Sequence, residues 1–294
     1  MLVGGSLGIV VLGLSGIGLA GVTVDGTLNP GEGYSGALAT QTDLSGFGYS
    51  TSGDGNSTGG SELDAGYGVV QNGTLYLFLA GNIEGNYTAN HLNVFIADGA
   101  TAGQSILNVS GGWTASAMNG SVFGPDFSPS LLLDANDYEG TLYVDQYSLN
   151  PSGSNNTYLG SIGLTGGIGN NQNLGGGGIA VGFNNTNIST MGTNGLALAD
   201  DVTTGLELGI PLSALGNPTG NIQVMAEING GGDGYLSNQF LPGLAPGTGN
   251  LGSPPIFNFG GVYGQYFSVA VPEPASMCLL GGAALMLCLR RRKA

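Results

Sequence analysis

The sequence has very little positive charge. Its 294 residues contain four Lys and Arg against 19 Asp and Glu, which gives a formal net charge of −15 at pH 7. All four basic residues lie together at positions 290–293, so Met1–Leu289 contains no Lys or Arg and a single histidine, His91. Nucleic-acid binding requires basic side chains against phosphate, and a P-loop requires a lysine. The composition therefore predicts no nucleic-acid partner and no P-loop nucleotide site.

Cysteine is also scarce. The two cysteines, Cys278 and Cys288, both lie in an apolar stretch near the C-terminus. The body of the chain therefore has no disulfide, no cysteine-based zinc site and no cysteine nucleophile. A lone histidine is usually structural or merely exposed, so His91 by itself does not predict an active site.

Glycine, in contrast, is abundant, with 59 residues, and 41% of the chain is hydrophobic. Many Gly, Asn, Ser and Thr residues with few good helix formers favour short strands and turns. Apolar or alternating runs between turn residues predict about eleven strands and no long helix in the body. We therefore predict an all-β fold, an antiparallel β-sandwich of jelly-roll-like type, over residues 21–271.

Turn residues divide this body. Asn72-Gly73 between two β-prone runs predicts a hairpin, and Asn136–Gly140 predicts a second one. Gly166–Gly178 and Gly230–Pro255 are rich in Gly, Asn and Pro, so both are predicted to be loops. Pro211–Leu215 predicts a single helical turn.

The first twenty residues, Met1–Ala20, are apolar and small. They resemble the hydrophobic part of a signal peptide, with Gly18 and Ala20 before a potential cut, although a basic n-region is missing. The alternative is a glycine-rich first strand of the folded domain.

The C-terminus has three parts, which together form the segment 272–294. Pro272, Glu273 and Pro274 come first, the apolar stretch Ala275–Leu289 follows, and a basic end closes the chain with Arg290, Arg291, Arg292 and Lys293. A helix of this length spans about 22 Å, short of the roughly 30 Å hydrocarbon core, which predicts a single, marginal transmembrane helix. Basic residues after it favour a cytoplasmic end.

This arrangement resembles the PEP-CTERM sorting signal of exported bacterial proteins. The resemblance implies export, transient membrane anchoring, processing by an exosortase-type enzyme, and a final location at the cell surface or outside the cell. The alternative is a plain C-terminal membrane anchor.

A second resemblance concerns the body. Val22–Gly26 reads as a short strand and resembles the opening of family 9 carbohydrate-binding-like and DOMON-like sandwiches. Leu75–Ala80 with Leu92–Asp98 is similar to their paired central strands, and Gly205–Gly216 resembles their Glu-x-x-Ile-Pro element. The resemblance implies a β-sandwich, and it implies sugar binding less strongly, because sugar-binding members use paired tryptophans and this chain has one.

That tryptophan, Trp113, is the candidate carbohydrate-stacking residue, with Tyr143 as its main partner and Tyr138 or Tyr147 as others. An indole in the polar stretch Gly111–Thr114 could stack on a sugar face. The alternative is an aromatic side chain packed into the sandwich or under a loop.

The densest group of oxygen ligands comprises Asp134, Asn136, Asp137 and Glu139. Oxygen ligands on a tight turn suit calcium, so this group is the candidate metal site. The spacing is not that of an EF-hand. A solvated hairpin turn is the alternative.

An enzyme is the less favoured function. A glycosidase needs two carboxylates about 5–9.5 Å apart across a cleft, and Glu207 with Asp200 or Asp201 is the candidate pair. An acidic chain offers such pairs by chance. We therefore predict an exported, non-catalytic cell-surface or extracellular-matrix protein that binds polysaccharide, with a secreted carbohydrate-active hydrolase as the alternative.

Overall fold

The computed structural model describes residues 21–45, 61–85, 90–186 and 199–272. The predicted signal-like segment 1–20 lies outside these residues, as does the tail from Glu273 to its basic end at 290–293. In the described part of the chain, no helix has the length and apolar character needed to cross a membrane.

The described residues form strands and short 3-10 helices, which confirms the all-β prediction. The strands are β1 (Ala39–Thr40), β2 (Glu62–Gln71), β3 (Thr74–Asn82), β4 (His91–Ala97), β5 (Leu131–Tyr138), β6 (Thr141–Asn150), β7 (Gly153–Gly163), β8 (Ile168–Leu174), β9 (Ile179–Asn184), β10 (Gly205–Pro211), β11 (Ile222–Asn229), β12 (Leu236–Leu241) and β13 (Phe267–Val269). The 3-10 helices span Ala115–Met118, Ala199–Asp201, Leu212–Leu215 and Gly231–Asp233. Leu212–Leu215 is the helical turn predicted after Pro211.

The strands form two antiparallel sheets. One has six strands in the order β1-β2-β3-β10-β9-β8. The other has seven, in the order β12-β11-β4-β5-β6-β7, with β13 paired to β11. The apolar core lies between the sheets, and in β4 the residues Leu92, Val94 and Ile96 point into it. Because side chains alternate along a strand, His91, Asn93 and Phe95 point to the opposite face.

This opposite face of the seven-stranded sheet is also covered. Residues from 107–127 and 236–259 pack on it and form a second apolar layer around Phe95. Its rings meet edge to face, with centroids 5.1 Å apart for Phe95–Phe123 and 5.3 Å apart for Phe123–Phe257. The seven-stranded sheet therefore lies between two packed layers.

Both predicted hairpins form. Asn72 and Gly73 have φ of 50° and 77°, and Glu139 and Gly140 have φ of 50° and 76°. Positive φ at both central residues defines the turn that matches the twist of the flanking strands. In the second hairpin, β5 continues to Tyr138, so the turn is only Glu139-Gly140.

Three local predictions were wrong. Gly166–Gly178 contains β8, which pairs with β9 at the edge of its sheet, and Gly230–Pro255 contains β12, which pairs with β11. Their polar residues look like loop residues in sequence, but main-chain pairing decides their conformation. Val22–Gly26 is not a strand. Just beyond this segment, Thr27 forms an isolated antiparallel bridge with Thr204.

Candidate functional site

A buried polar cluster lies on the covered face of the seven-stranded sheet. It comprises His91, Asn93, Asp134, Glu227, Asn229 and Asp233. Strand register brings the first five together, because Asn93 pairs with both Asp134 and Glu227, and His91 pairs with Asn229. Asp233 arrives from the 3-10 helix Gly231–Asp233. All six side chains are buried.

The centre of the cluster is an imidazole between two carboxylates. His91 Nδ1 lies 2.7 Å from Asp134 Oδ1 and 3.7 Å from Asp233 Oδ2. Asn93 Nδ2 donates to Asp233 Oδ1 at 3.0 Å, and Thr114 Oγ1 donates to Asp233 Oδ2 at 2.7 Å. The exposed fractions of His91, Asp134 and Asp233 are 3%, 4% and 0%.

Burial and charge act against each other on these groups. Burial alone would lower the pKa of His91, but the carboxylates of Asp134 and Asp233 outweigh it and raise that pKa to about 9. Burial raises the pKa of Asp134 to about 6, although His91 opposes the shift. Burial, with Asp233 beside it, holds the pKa of Glu227 well above its usual range. The cluster therefore favours a protonated imidazole and disfavours several neighbouring carboxylate charges.

Several oxygen atoms of the cluster have no hydrogen-bond partner among the described residues. They are Asn93 Oδ1, Asn229 Oδ1 and Glu227 Oε2. Buried polar atoms are rarely left without a partner, because each such atom costs about 1–3 kcal/mol. His91, Asp134 and Asp233 also offer one nitrogen and two carboxylate oxygens within 4.8 Å of one another. The arrangement provides a donor set suited to a cation.

Trp113 lies on the segment that leads into this cluster and is 68% exposed. The next residue, Thr114, is the one bound to Asp233, and the preceding residue, Gly112, packs on Tyr147 so closely that a Cβ there would lie 1.9 Å from its hydroxyl. Trp113 is therefore an exposed indole on an anchored segment.

The predicted tyrosine partners differ in exposure. Tyr143 is half-buried on β6, across from Asn136 on the same face as the cluster. Tyr158, which the sequence analysis did not select, is 53% exposed on β7 across from Asp145. Tyr138 is half-buried at the second hairpin, whereas Tyr147 is fully buried in the second apolar layer and cannot reach a ligand.

The four predicted calcium ligands do not converge on one point. The prediction treated 136–140 as a turn, but β5 continues through Tyr138, so its side chains alternate between faces. Asp134 faces the cluster. Asp137 instead accepts hydrogen bonds from Gly140 N at 3.1 Å and Asn185 Nδ2 at 3.3 Å, and burial raises its pKa to about 6. Glu139 is exposed in the turn.

Glu207, the predicted hydrolase carboxylate, lies on the outer face of the six-stranded sheet and is fully buried. Its Oε2 accepts from the amides of Asp25 at 2.9 Å and Gly26 at 3.1 Å, and its Oε1 accepts from the Tyr34 hydroxyl at 2.9 Å. Glu207 thereby holds the N-terminal segment on the sheet. Asp201 is exposed at the end of a 3-10 helix.

Sequence reasoning missed most of the cluster. Asn93 and Asp233 are 140 residues apart, and no short motif joins them. A usable signal was present in β4 and β11, where His91 and Asn93, and likewise Glu227 and Asn229, alternate with apolar residues. Polar residues at every second position of a strand mark a polar patch on one face of its sheet.

The last described residues connect the fold to the tail. β13 ends at Val269, Val271 packs against the core between the sheets, and Pro272 is exposed. Residues 270–293 match the family described as the PEP-CTERM protein-sorting motif. No curated protein and no solved structure matches the chain, so the resemblance of the body to carbohydrate-binding-like and DOMON-like sandwiches stays a prediction. The C-terminus thus carries a PEP-CTERM sorting motif, which marks the chain as an exported exosortase substrate that is processed at the membrane.

Proposed function

We propose that the protein is a non-catalytic component of the cell surface or extracellular matrix that binds polysaccharide after release from its sorting tail. The match of residues 270–293 to the PEP-CTERM motif carries this proposal. Under this proposal, the apolar stretch Ala275–Leu289 anchors the chain in the membrane as a short helix until an exosortase-type enzyme cuts near Pro272–Pro274.

The boundary of the fold supports cleavage at this place. Val271 still packs against the core, whereas Pro272 is exposed. A cut after Pro272 would therefore leave β13 and its pairing with β11 intact. Mass spectrometry of the protein secreted by its host should find peptides up to β13 and none from Cys278 onward. Recovery of peptides that contain Arg290–Ala294 from the secreted fraction would contradict it.

The sugar-binding part of the proposal rests on Trp113. The residues on both sides of Trp113 are anchored, so little backbone entropy is lost when a sugar ring stacks on the exposed indole. Tyr143 and Tyr158, on the same face of the seven-stranded sheet, provide further aromatic surface. Trp113 is connected to the buried polar cluster through the next residue, Thr114, whose hydroxyl donates to Asp233.

The burial of the acidic residues supports a non-catalytic role. Glu227 and Asp233 are 0% exposed, and Glu207 is closed off by its three donors. A glycosidase needs its two carboxylates on either side of a substrate-accessible cleft.

Retention on host exopolysaccharide tests the binding site. Trp113→Ala should weaken retention by about tenfold or more, equivalent to roughly 1.4 kcal/mol, with an unchanged melting temperature. Tyr263→Ala is the matched control, because Tyr263 is 74% exposed on another loop. Equal retention of Trp113→Ala and the wild type would refute stacking by Trp113, and release of reducing sugar from the polysaccharide would refute the non-catalytic role.

A further inference from the structure

We propose that His91, Asp134 and Asp233 bind a divalent transition-metal cation. The donor atoms are His91 Nδ1, which would exchange its proton for the ion, and one carboxylate oxygen from each aspartate, and they lie within 4.8 Å of one another. Ligand atoms of a tetrahedral zinc ion lie about 3.3 Å apart. His91 Nδ1 and Asp134 Oδ1, 2.7 Å apart, would therefore separate slightly, and Asp233 Oδ2, 3.7 Å from Nδ1, would move slightly closer. The three side chains come from β4, β5 and the 3-10 helix Gly231–Asp233, which fixes them from separate directions.

Charge in and around the cluster favours a cation. Asp134 stands directly across from Asp145 in the sheet, and Asp233 lies on the other side of the imidazole, so His91 faces three aspartates. Like charges directly opposite each other destabilise a sheet. Met1–Leu289 contains no Lys or Arg to neutralise them. A bound divalent ion would supply the missing positive charge.

The unpartnered oxygens are an independent sign of a missing ligand. Asn93, Asn229 and Glu227 are each 0% exposed, and each leaves one oxygen without a hydrogen-bond partner among the described residues. The amide nitrogens of Asn93 and Asn229 lie 3.0 and 3.4 Å from Asp233 Oδ1, so these side chains are in contact with a proposed ligand. An ion, or water bound to it, would satisfy oxygens for which the described residues provide no donor.

The donor types select the class of ion. Imidazole nitrogen suits zinc and other first-row transition metals, whereas calcium and magnesium favour oxygen donors alone. One nitrogen with carboxylate oxygens therefore fits Zn²⁺ or Mn²⁺. This site differs from the calcium site predicted at Asp134, Asn136, Asp137 and Glu139, and it shares only Asp134 with it.

Trp113 provides a direct readout, because it is the single tryptophan of the chain and its neighbour Thr114 bonds to Asp233. The full chain, purified in mild detergent and freed of metal by a chelator, would be titrated with Zn²⁺, Mn²⁺ or Ca²⁺. We expect one equivalent of Zn²⁺ or Mn²⁺ to bind, a saturable change in tryptophan emission and a higher melting temperature. Emission that none of the three ions changes, or binding of Ca²⁺ at least as tight as that of Zn²⁺ and Mn²⁺, would overturn the proposal.

Two variants locate the ion. Asp233→Asn should weaken binding by about tenfold or more. Asp137→Asn removes a buried carboxylate from the same strand as Asp134 but from its other face, and should bind as the wild type does. Equal weakening in both variants would overturn the assignment.

If Asp233→Asn does not fold, X-ray absorption at the zinc edge of the wild-type protein identifies the atoms that coordinate the ion. A shell with imidazole nitrogen and carboxylate oxygen supports the site. A sulfur-containing shell would place the zinc at Cys278 and Cys288, and an all-oxygen shell would exclude His91, so either would overturn the proposal.

Discussion

Glu207 makes stability depend on pH in the direction opposite to that of a salt-bridged carboxylate. It is fully buried in β10, and burial raises its pKa to about 7 from an ordinary value of 4.5, despite the three hydrogen bonds that favour its charged form. The folded state therefore binds a proton more tightly than the unfolded chain does. The stabilisation is fully present below the unfolded pKa, near 4.5, and is lost as pH rises through 7.

The size of the effect follows from the shift. A pKa difference of about 2.5 corresponds to about 3 kcal/mol once the carboxylate is ionised, at 1.36 kcal/mol for each unit. Between pH 5 and 8, Glu207 alone should lower the free energy of unfolding by about 2.5 kcal/mol. Glu207→Gln removes the titration, and its amide oxygen can still accept from Asp25 or Gly26. The variant should therefore lose this part of the pH dependence.

The pH dependence of the free energy of unfolding would be measured by denaturant unfolding of the wild type and Glu207→Gln at pH 5, 6, 7 and 8. A chelator and constant ionic strength keep cation binding and screening out of the comparison. Glu139→Gln, which removes an exposed carboxylate from a hairpin turn, is the control and should keep the wild-type slope. The reasoning would be refuted by a Glu207→Gln slope equal to that of the wild type, or by wild-type stability that climbs steadily from pH 5 to 8.

Two further substitutions test the packing. Gly112→Ala should destabilise the protein by about 1–3 kcal/mol, because a Cβ there would overlap the Tyr147 hydroxyl. Gly176→Ala is its control in the same thermal melts, since Gly176 has nearly the same positive φ but no atom within 4 Å of that Cβ, and equal losses would mean that backbone strain is the cause. Phe123→Ala should lower the free energy of unfolding by about 3–5 kcal/mol in denaturant titrations, because Phe123 contacts three rings of the second layer. A loss below about 1 kcal/mol would mean that this layer contributes little to stability.

The parts of the fold predicted from sequence are those that depend on local chemistry. Asn72-Gly73 and Glu139-Gly140 supply the positive φ that their hairpins require, so the turns are visible in the sequence. The alternation of polar and apolar residues in β4 and β11 likewise marks strands with one apolar face in the core. Local chemistry of this kind is sufficient to give the fold class.

The parts that were missed depend on distant partners. β12 reads as a loop because it contains Ser237, Asn238 and Gln239, yet all three are buried and bonded. Gln239 Nε2, for example, donates to the carbonyl of Asp43, 196 residues away. The buried polar cluster has the same character, since Asp233 lies on the 3-10 helix Gly231–Asp233 and bonds to Asn93, 140 residues away. Neither could be found from spacing along the chain.

In a chain with 19 Asp and Glu and only four basic residues, mutual repulsion could raise the pKa values of the carboxyl groups. Burial is instead the largest cause for Glu62, Asp64 and Glu207, whose pKa values rise to about 8, 7 and 7. Repulsion from Asp64 contributes second at Glu62. The pH dependence should therefore come chiefly from a few buried groups.

A chain without Lys or Arg in its body must satisfy its carboxylates in another way, and backbone amides provide it. Asp98 accepts from the amides of Ala100 at 2.7 Å and Thr101 at 2.6 Å, and Asp43 accepts from Gly247 and Thr248. Glycine-rich turns make such amides accessible, which connects the 59 glycines to the missing cations.

The carboxylates of the buried polar cluster do not have backbone amides as their main donors. Its carboxylates lie in the middle of a sheet, where most backbone amides are already used by neighbouring strands. Asp134 and Asp233 must therefore rely on the His91 imidazole and on side-chain donors, and three oxygens of the cluster have no partner within the described part of the chain. In a body with a single histidine as its source of positive charge, this is the position at which an external cation would contribute most to stability.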